Sequence, residues 1–229
     1  MKTVIIHGQS HEGSTCHAAR ALAAKIGGET AEFFLPRDFG AFCAGCNTCF
    51  FDSERKCPHS AALAPILAAM DAADVIVLAS PVYVFHATGA MKAFLDHCAF
   101  RWMAHRPEES MFRKQGVCLC TTAGGGAKSA LKDMADSMFF WGVAKIYKLG
   151  FALAAADWDG VGAKKRAAIE RDTARLARTI VRRHGRVRPG LKTRLFFYVM
   201  HFVQRKGFSV ADAAYWKEKG WTGGVRPWR

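Results

Sequence analysis

Residues 42–59 read FCAGCNTCFFDSERKCPH and place Cys43, Cys46, Cys49 and Cys57 within fifteen positions. Thiolates spaced C-x2-C-x2-C-x7-C can surround one metal centre, because two-residue gaps let a chain curl around it. The compact triplet and the Cys-Pro pair after it follow the pattern of a 4Fe–4S site, with the four cysteines as ligands. Zinc is an alternative, although structural zinc more often takes two separated C-x2-C pairs. A third reading leaves free or redox thiols, among which a Cys46–Cys49 disulfide would be redox-active rather than structural. On the residues alone all three stay open.

Three further stretches carry binding chemistry. Residues 7–20, HGQSHEGSTCHAAR, supply hydroxyls from Ser10, Ser14 and Thr15 and bends at Gly8 and Gly13. They open directly into a helix, whose free N–H groups and dipole attract an anion without help from Lys or Arg. A terminal phosphate suits this loop; an ordinary helix cap at Ser14 or Thr15 accounts for the same residues. The loop is not G-x-G-x-x-G, which disfavours a Rossmann dinucleotide site, and GGGAKS at 124–129 lacks the spacing of a Walker motif. Residues 80–97, SPVYVFHATGAMKAFLDH, present Tyr83 and Phe85 to a flat ring, or pack them. Residues 121–129, TTAGGGAKS, bring Thr121, Thr122 and the backbone of 124–126 close to a ring edge with little bulk.

The elements that position these stretches alternate strand and helix. Strands are expected at 3–6, 30–35, 74–80, 117–121 and 145–151, and helices at 15–26, 61–73, 88–100, 128–141 and 161–184. DVIVLAS at 74–80 is apolar almost throughout, as a strand buried on both faces must be. Five such units predict an α/β fold, a flavodoxin-like doubly wound five-stranded parallel sheet of order 2-1-3-4-5, with a C-terminal helical extension. Domain 1–185 would carry the binding loops and the irregular cysteine stretch 36–60; 186–229 would form the extension. The loops after strands 1, 3 and 4 border one crevice at the switch point. A phosphate loop, an aromatic loop and a glycine loop together describe a site for FMN.

Here the chain resembles the flavodoxin-like NAD(P)H-dependent FMN reductase family. The resemblance is carried by residues 8–15, by GCNTC, and above all by SPVYVFHATGAMKAFLDH, and covers most of 1–185. CAGCNTCF and KCPH resemble the cysteine segment of iron–sulfur flavoproteins. The resemblance implies that Ser10, Gly13, Ser14 and Thr15 hold the FMN phosphate. It implies that Pro81, Val82, Tyr83 and Val84 line the isoalloxazine, and that Thr122, Gly124 and Gly125 close its other edge. His11-Glu12 departs from the family, where Pro-Arg or similar residues are common. NAD(P)H as electron donor, a 4Fe–4S cluster and a homodimer are further implications, as is a quinone, small-molecule or protein acceptor. The competing classes are an FMN electron carrier reduced by a partner, and a thiol hydrolase built on one cysteine and one histidine.

Charge bounds the partners. The 229 residues carry a formal net charge of +14, with 51% hydrophobic and 12% aromatic content. That content supports a sizeable core, while flavodoxin carriers are usually acidic. Ten Lys and Arg residues fall between positions 164 and 188; Arg171, Arg175, Arg178 and Arg182 share one helix face, opposite Ile169, Thr173, Leu176 and Ile180. A solvated basic face is expected, and no nucleic-acid module accompanies it. No signal-peptide pattern and no stretch of ~20 apolar residues is present, so a soluble cytoplasmic protein is expected. In the extension, LFFYVMHFV at 195–203 must bury against the body, a partner subunit or a membrane surface. YWKEKGW and PWR bring Trp216, Trp221 and Trp228, which read as exposed residues of a docking segment. FRWMAHRP at 100–107 could meet a nicotinamide nucleotide or a partner through Arg101, Trp102, His105 and Arg106, or simply pack a helix end.

Overall fold

The β-branched and apolar runs form strands β1 (Lys2–His7), β2 (Glu29–Phe34), β3 (Val75–Pro81), β4 (Gln115–Thr122) and β5 (Lys145–Ala152). In the computed structural model, which describes every residue except Ala156 and Phe208, they pair in parallel in the order β2-β1-β3-β4-β5. The expected flavodoxin-like sheet is thus the observed one. Strand β3 lies between β1 and β4 and is buried from Val75 to Ser80, which explains its continuous apolar sequence.

Two cores cover the two faces. Helices α3 (Ser60–Ala72), α4 (Gly89–His97) and α5 (Ala127–Phe140) close one face, with Ile66, Met70, Phe94 and Met134 against Ile6, Ile76 and Cys118. Helices α1 (Ser14–Ile26) and α6 (Ala163–Arg183) close the other. Ile169, Thr173, Leu176 and Ile180 of α6 face inward and its arginines face solvent, as the spacing requires. Burying each large aliphatic side chain of this face contributes about 1.5–3 kcal/mol. A four-residue helix, α2 (Thr48–Phe51), is the only α-helix between β2 and α3.

The extension forms α7 (Leu191–Arg205) and α8 (Val210–Glu218). They build a third, aromatic core in which Phe197, Trp216, Trp221 and Trp228 enclose Met103 and Phe112. The reading of exposed tryptophans is corrected here: Trp216 and Trp221 are fully buried and Trp228 nearly so. Their polar sequence neighbours face solvent, while the rings pack on residues from the connection between α4 and β4. The segment at 100–107 likewise packs. Arg101 pairs with Asp71, Trp102 stacks on Phe140 at 4.5 Å, and His105 and Arg106 face α8.

Candidate functional site: a crevice at the strand ends and a separate cysteine cavity

All the candidate loops leave the carboxyl ends of the strands. The loop after β1 ends at Gly13, the N-cap of α1, which has no side-chain partner and no acidic residue in its first turn. The first N–H groups of α1 therefore remain free for an anion. A Cβ on Gly13 would stand 2.9 Å from Gln9 Nε2, so the missing side chain leaves a small cradle beside these donors. Glu12 does not spoil it. Arg20 binds the Glu12 carboxylate at 2.7 and 2.9 Å and reaches Glu32 as well, holding Glu12 below its ordinary pKa chiefly through that hydrogen bond. Glu32 in turn meets the buried His7, whose pKa is lowered mainly by burial.

The loop after β3 is strained. Tyr83 and His86 exchange both backbone hydrogen bonds at 3.0 Å around Val84 and Phe85, which have φ of 48° and 66°. A two-residue hairpin turn demands such angles and normally uses Asn or Gly. For Val and Phe they cost about 1–3 kcal/mol each, a strain that recurs where loops grip ligands. Asp133 anchors the turn, accepting from Ala87 N–H and meeting His86 Nδ1 at 3.0 Å. The turn leaves Tyr83, Val84 and Phe85 exposed.

The loop after β4 packs directly against it. Gly126 has φ of 83°, and a Cβ there would lie 2.6 Å from Val82 and 2.7 Å from the Phe85 backbone. Thr122 closes this loop, donating to Gly125 O and accepting from Gly124 N–H. Thr15 and Thr121 join hydroxyls at 2.6 Å, tying the first loop to β4.

Together the three loops line a crevice of about 250 Å³. Gly13, Ser14, Thr15, Pro81, Val82, Tyr83 and Thr122 lie on its wall. Ser10, Val84, Gly124 and Gly125 lie outside that wall, in the same three loops. Sequence reasoning missed Gln9, His11, Leu153 and Ala155, which also line it. The first two are flanked by the quoted glycines, and the last two follow the carboxyl end of β5, where the switch-point rule places ligand contacts. Free N–H donors at one end and apolar walls at the other fit a phosphate and a flat ring.

The cysteine stretch forms a second cavity, of about 440 Å³, into which Cys43, Cys46, Cys49 and Cys57 all face. Left-handed backbone at Gly45 (φ 65°) and Asn47 (φ 58°) curls the chain between the first three cysteines. Burial first, then the neighbouring Cys57, Cys43 and Cys46, raises the Cys49 pKa. The Thr48 side chain and backbone lower the pKa of Cys46 by hydrogen bonding to its thiolate. The other four cysteines are of a different kind: burial pushes Cys16 and Cys120 up to about 11 and Cys98 and Cys118 up to about 12. Protonated and enclosed, those are packing residues.

Two histidines belong to this cavity and were not among the candidates. His59 Nδ1 meets His97 Nε2 at 2.9 Å, and ligand atoms of Cys57, His59 and His97 lie within 4.8 Å of one another. His59 stands in the quoted KCPH, but His97 ends α4 some forty residues on. Arg106 binds the Cys49 carbonyl from behind and pairs with Asp212 of α8, which also meets His105 at 2.8 Å. Phe50 packs on the His105 ring at 4.5 Å, and Trp216 Nε1 donates to His105 O at 2.6 Å. The extension therefore braces the cysteine loop.

The family model of NADPH-dependent FMN reductases matches residues 1–159. An iron–sulfur flavoprotein of Archaeoglobus fulgidus is 24% identical over 182 residues, covering 78% of this chain and 79% of its own. Another, of Methanosarcina thermophila, is 27% identical over 149 residues, covering 62% and 75%. The fold matches that of an azoreductase from Bacillus anthracis, with a TM-score of 0.61 at 14% identity, over 78% of this chain and 99% of that one. The matched segment runs from β1 past β5 and so contains the whole sheet and all three loops of the crevice: the chain belongs to the NADPH-dependent FMN reductase family.

Proposed function

We propose that the protein takes electrons from NAD(P)H through FMN held in the crevice and delivers them to a quinone, another small molecule or a protein. The observation that carries this reading is the joining of a free helix N-terminus to the loops after β3 and β4 in one crevice. Bound there, FMN supplies hydride acceptance and the release of electrons singly or in pairs. The N–H groups of Ser14 and Thr15 would hold the phosphate, with Ser10 beside them. Pro81, Val82, Tyr83 and Val84 would lie along the ring, and Thr122, Gly124 and Gly125 would close its far edge and keep water out. The homodimer belongs to this reading too, since the exposed Tyr83, Val84 and Phe85 offer a second copy an apolar contact at the mouth of the crevice.

Cys43, Cys46, Cys49 and Cys57 would hold a 4Fe–4S cluster, which supplies one-electron exchange. What supports this reading is that all four cysteines line one cavity. Helix α4 begins at the loop after β3 and ends at His97 in the cysteine cavity, a rise of about 13 Å. A second reading, favoured by the proximity of Cys57, His59 and His97, is a single zinc ion with three protein ligands.

Purification without oxygen tests both parts. The expected product is brown, holds FMN and about four irons per chain, and bleaches its flavin on addition of NAD(P)H alone. Cys46→Ala and Cys49→Ala lose the iron and keep FMN. A need for a separate reductase would favour the carrier. Protein that stays colourless with added FMN would sink the flavin reading. Yellow, iron-free, active protein would remove the cluster, and one zinc lost with His97→Ala would replace it.

A further inference from the structure

Helix α7 buries only one side. Thr193, Phe197, His201 and Gln204 face the aromatic core and the segment before β4. On the other side Leu191, Leu195 and Phe202 are 84%, 63% and 61% exposed, with Tyr198 and Val199 between them. Positions 191, 195, 198, 199 and 202 make one continuous helical stripe. An apolar stripe of this kind on a folded surface marks a contact with something apolar.

The charge around it says what that is. Arg188, Arg194 and Arg229 share a shallow cavity with Leu191, Leu195 and Trp228, and no Asp or Glu is among the residues that line it. Arg194 Nε is buried and has no hydrogen-bond partner among the described residues, while its guanidinium stands 5.8 Å from the Trp228 ring. From residue 173 to 211 the chain carries ten Lys and Arg and no Asp or Glu. A ligand for this face must be apolar and anionic at once. A second copy seated on this face would bring the same arginines against them, since symmetric pairing sets like charges together.

We infer that α7 lies flat on an anionic phospholipid surface. Leu191, Leu195, Val199 and Phe202 enter the acyl boundary, and the cavity of Arg188, Arg194 and Arg229 receives a headgroup phosphate. An amphipathic helix with a basic surround binds in this manner, by apolar burial plus attraction to anionic lipid. The inference is independent of the flavin and metal readings.

Co-sedimentation of the full chain with vesicles tests it. Wild type should pellet with phosphatidylcholine vesicles containing about one-third phosphatidylglycerol and stay in solution with phosphatidylcholine alone. Leu195→Asp with Phe202→Asp should weaken binding at least ~10-fold. Arg188→Gln with Arg194→Gln should weaken it by a similar factor. Arg175→Gln with Arg178→Gln on α6 changes the net charge as much as the Asp pair does, and should cost less than ~3-fold. All the replaced α7 stripe residues are exposed, and unchanged thermal melting verifies folding. Equal loss in the α6 variant, equal binding to neutral vesicles, or no binding by wild type would overturn the inference. So would a wild-type dimer that Leu195→Asp with Phe202→Asp dissociates, which would assign the stripe to a second copy.

Discussion

The crevice at the strand ends and the cysteine cavity are built on opposite plans. The crevice is made of backbone. Free N–H groups of α1, a turn held at positive φ and a glycine loop form it, each within a few residues of a strand end. The cysteine cavity is made of side chains on a long loop whose regular structure amounts to α2 and one 3-10 turn. Its support comes from outside, through Arg106, His105 and Asp212, and so from α8 more than 150 residues after Cys57. A site on strand ends inherits the rigidity of the sheet; a site on a loop needs a separate brace.

The comparison breaks most sharply at Asp212. It is almost fully buried, and its removal leaves the largely buried Arg106 with Glu54, 3.4 Å away, as its remaining acidic partner. Asp212→Ala should cost about 3–5 kcal/mol of stability, measured by denaturant unfolding. In iron-free protein it should speed alkylation of Cys49 while FMN affinity changes less than ~3-fold. An equal loss of FMN affinity would show that the two sites are not independently supported.

The converse experiment is Gly126→Ala. A Cβ at that position collides with Val82 and Phe85, and φ of 83° is strained for alanine. A cost of about 1–3 kcal/mol in the crevice corresponds to FMN binding weaker by roughly 5- to 150-fold. Calorimetry gives the affinity, and Cys49 alkylation should not change. Val84→Gly tests the strain itself. Relief of the positive φ, less the entropy that glycine loses, should stabilise the flavin-free protein by about 1 kcal/mol. A destabilised variant would mean that Val84 contributes packing that outweighs the strain.

The smallest expected effect lies in the cysteine loop. The pKa of Cys46 is lowered, so its thiolate fraction near neutral pH exceeds that of an ordinary thiol, while Cys49 is shifted the other way. In iron-free protein iodoacetamide should therefore label Cys46 at lower pH than Cys49. Thr48→Val removes the hydroxyl that stabilises the Cys46 thiolate and should move its labelling profile to higher pH, slowing the reaction a few-fold. Mass spectrometry of the labelled peptides across a pH series measures both.

The bounds of the sheet were legible because each strand carries its own record. DVIVLAS is apolar since β3 is covered on both faces, and α6 shows its buried side at helical spacing. The loops of the crevice were legible for a related reason, since each directly follows its strand. The tryptophans were not. Trp216 and Trp221 sit among charged neighbours, and what buries them is Met103 and Phe112, about a hundred residues earlier.

By itself, then, the sequence determined the order of strands and helices, the positions of the binding loops and the curl of a cysteine triplet. These depend on periodicity, on glycine and on short spacings, all of which act between near neighbours. Tertiary structure alone decided that His97 joins Cys57 and His59, that Asp212 braces the cysteine loop through Arg106, and which side of α7 stays bare. Those relations join side chains from distant segments, and nothing local records a partner that only folding brings within a hydrogen bond's reach.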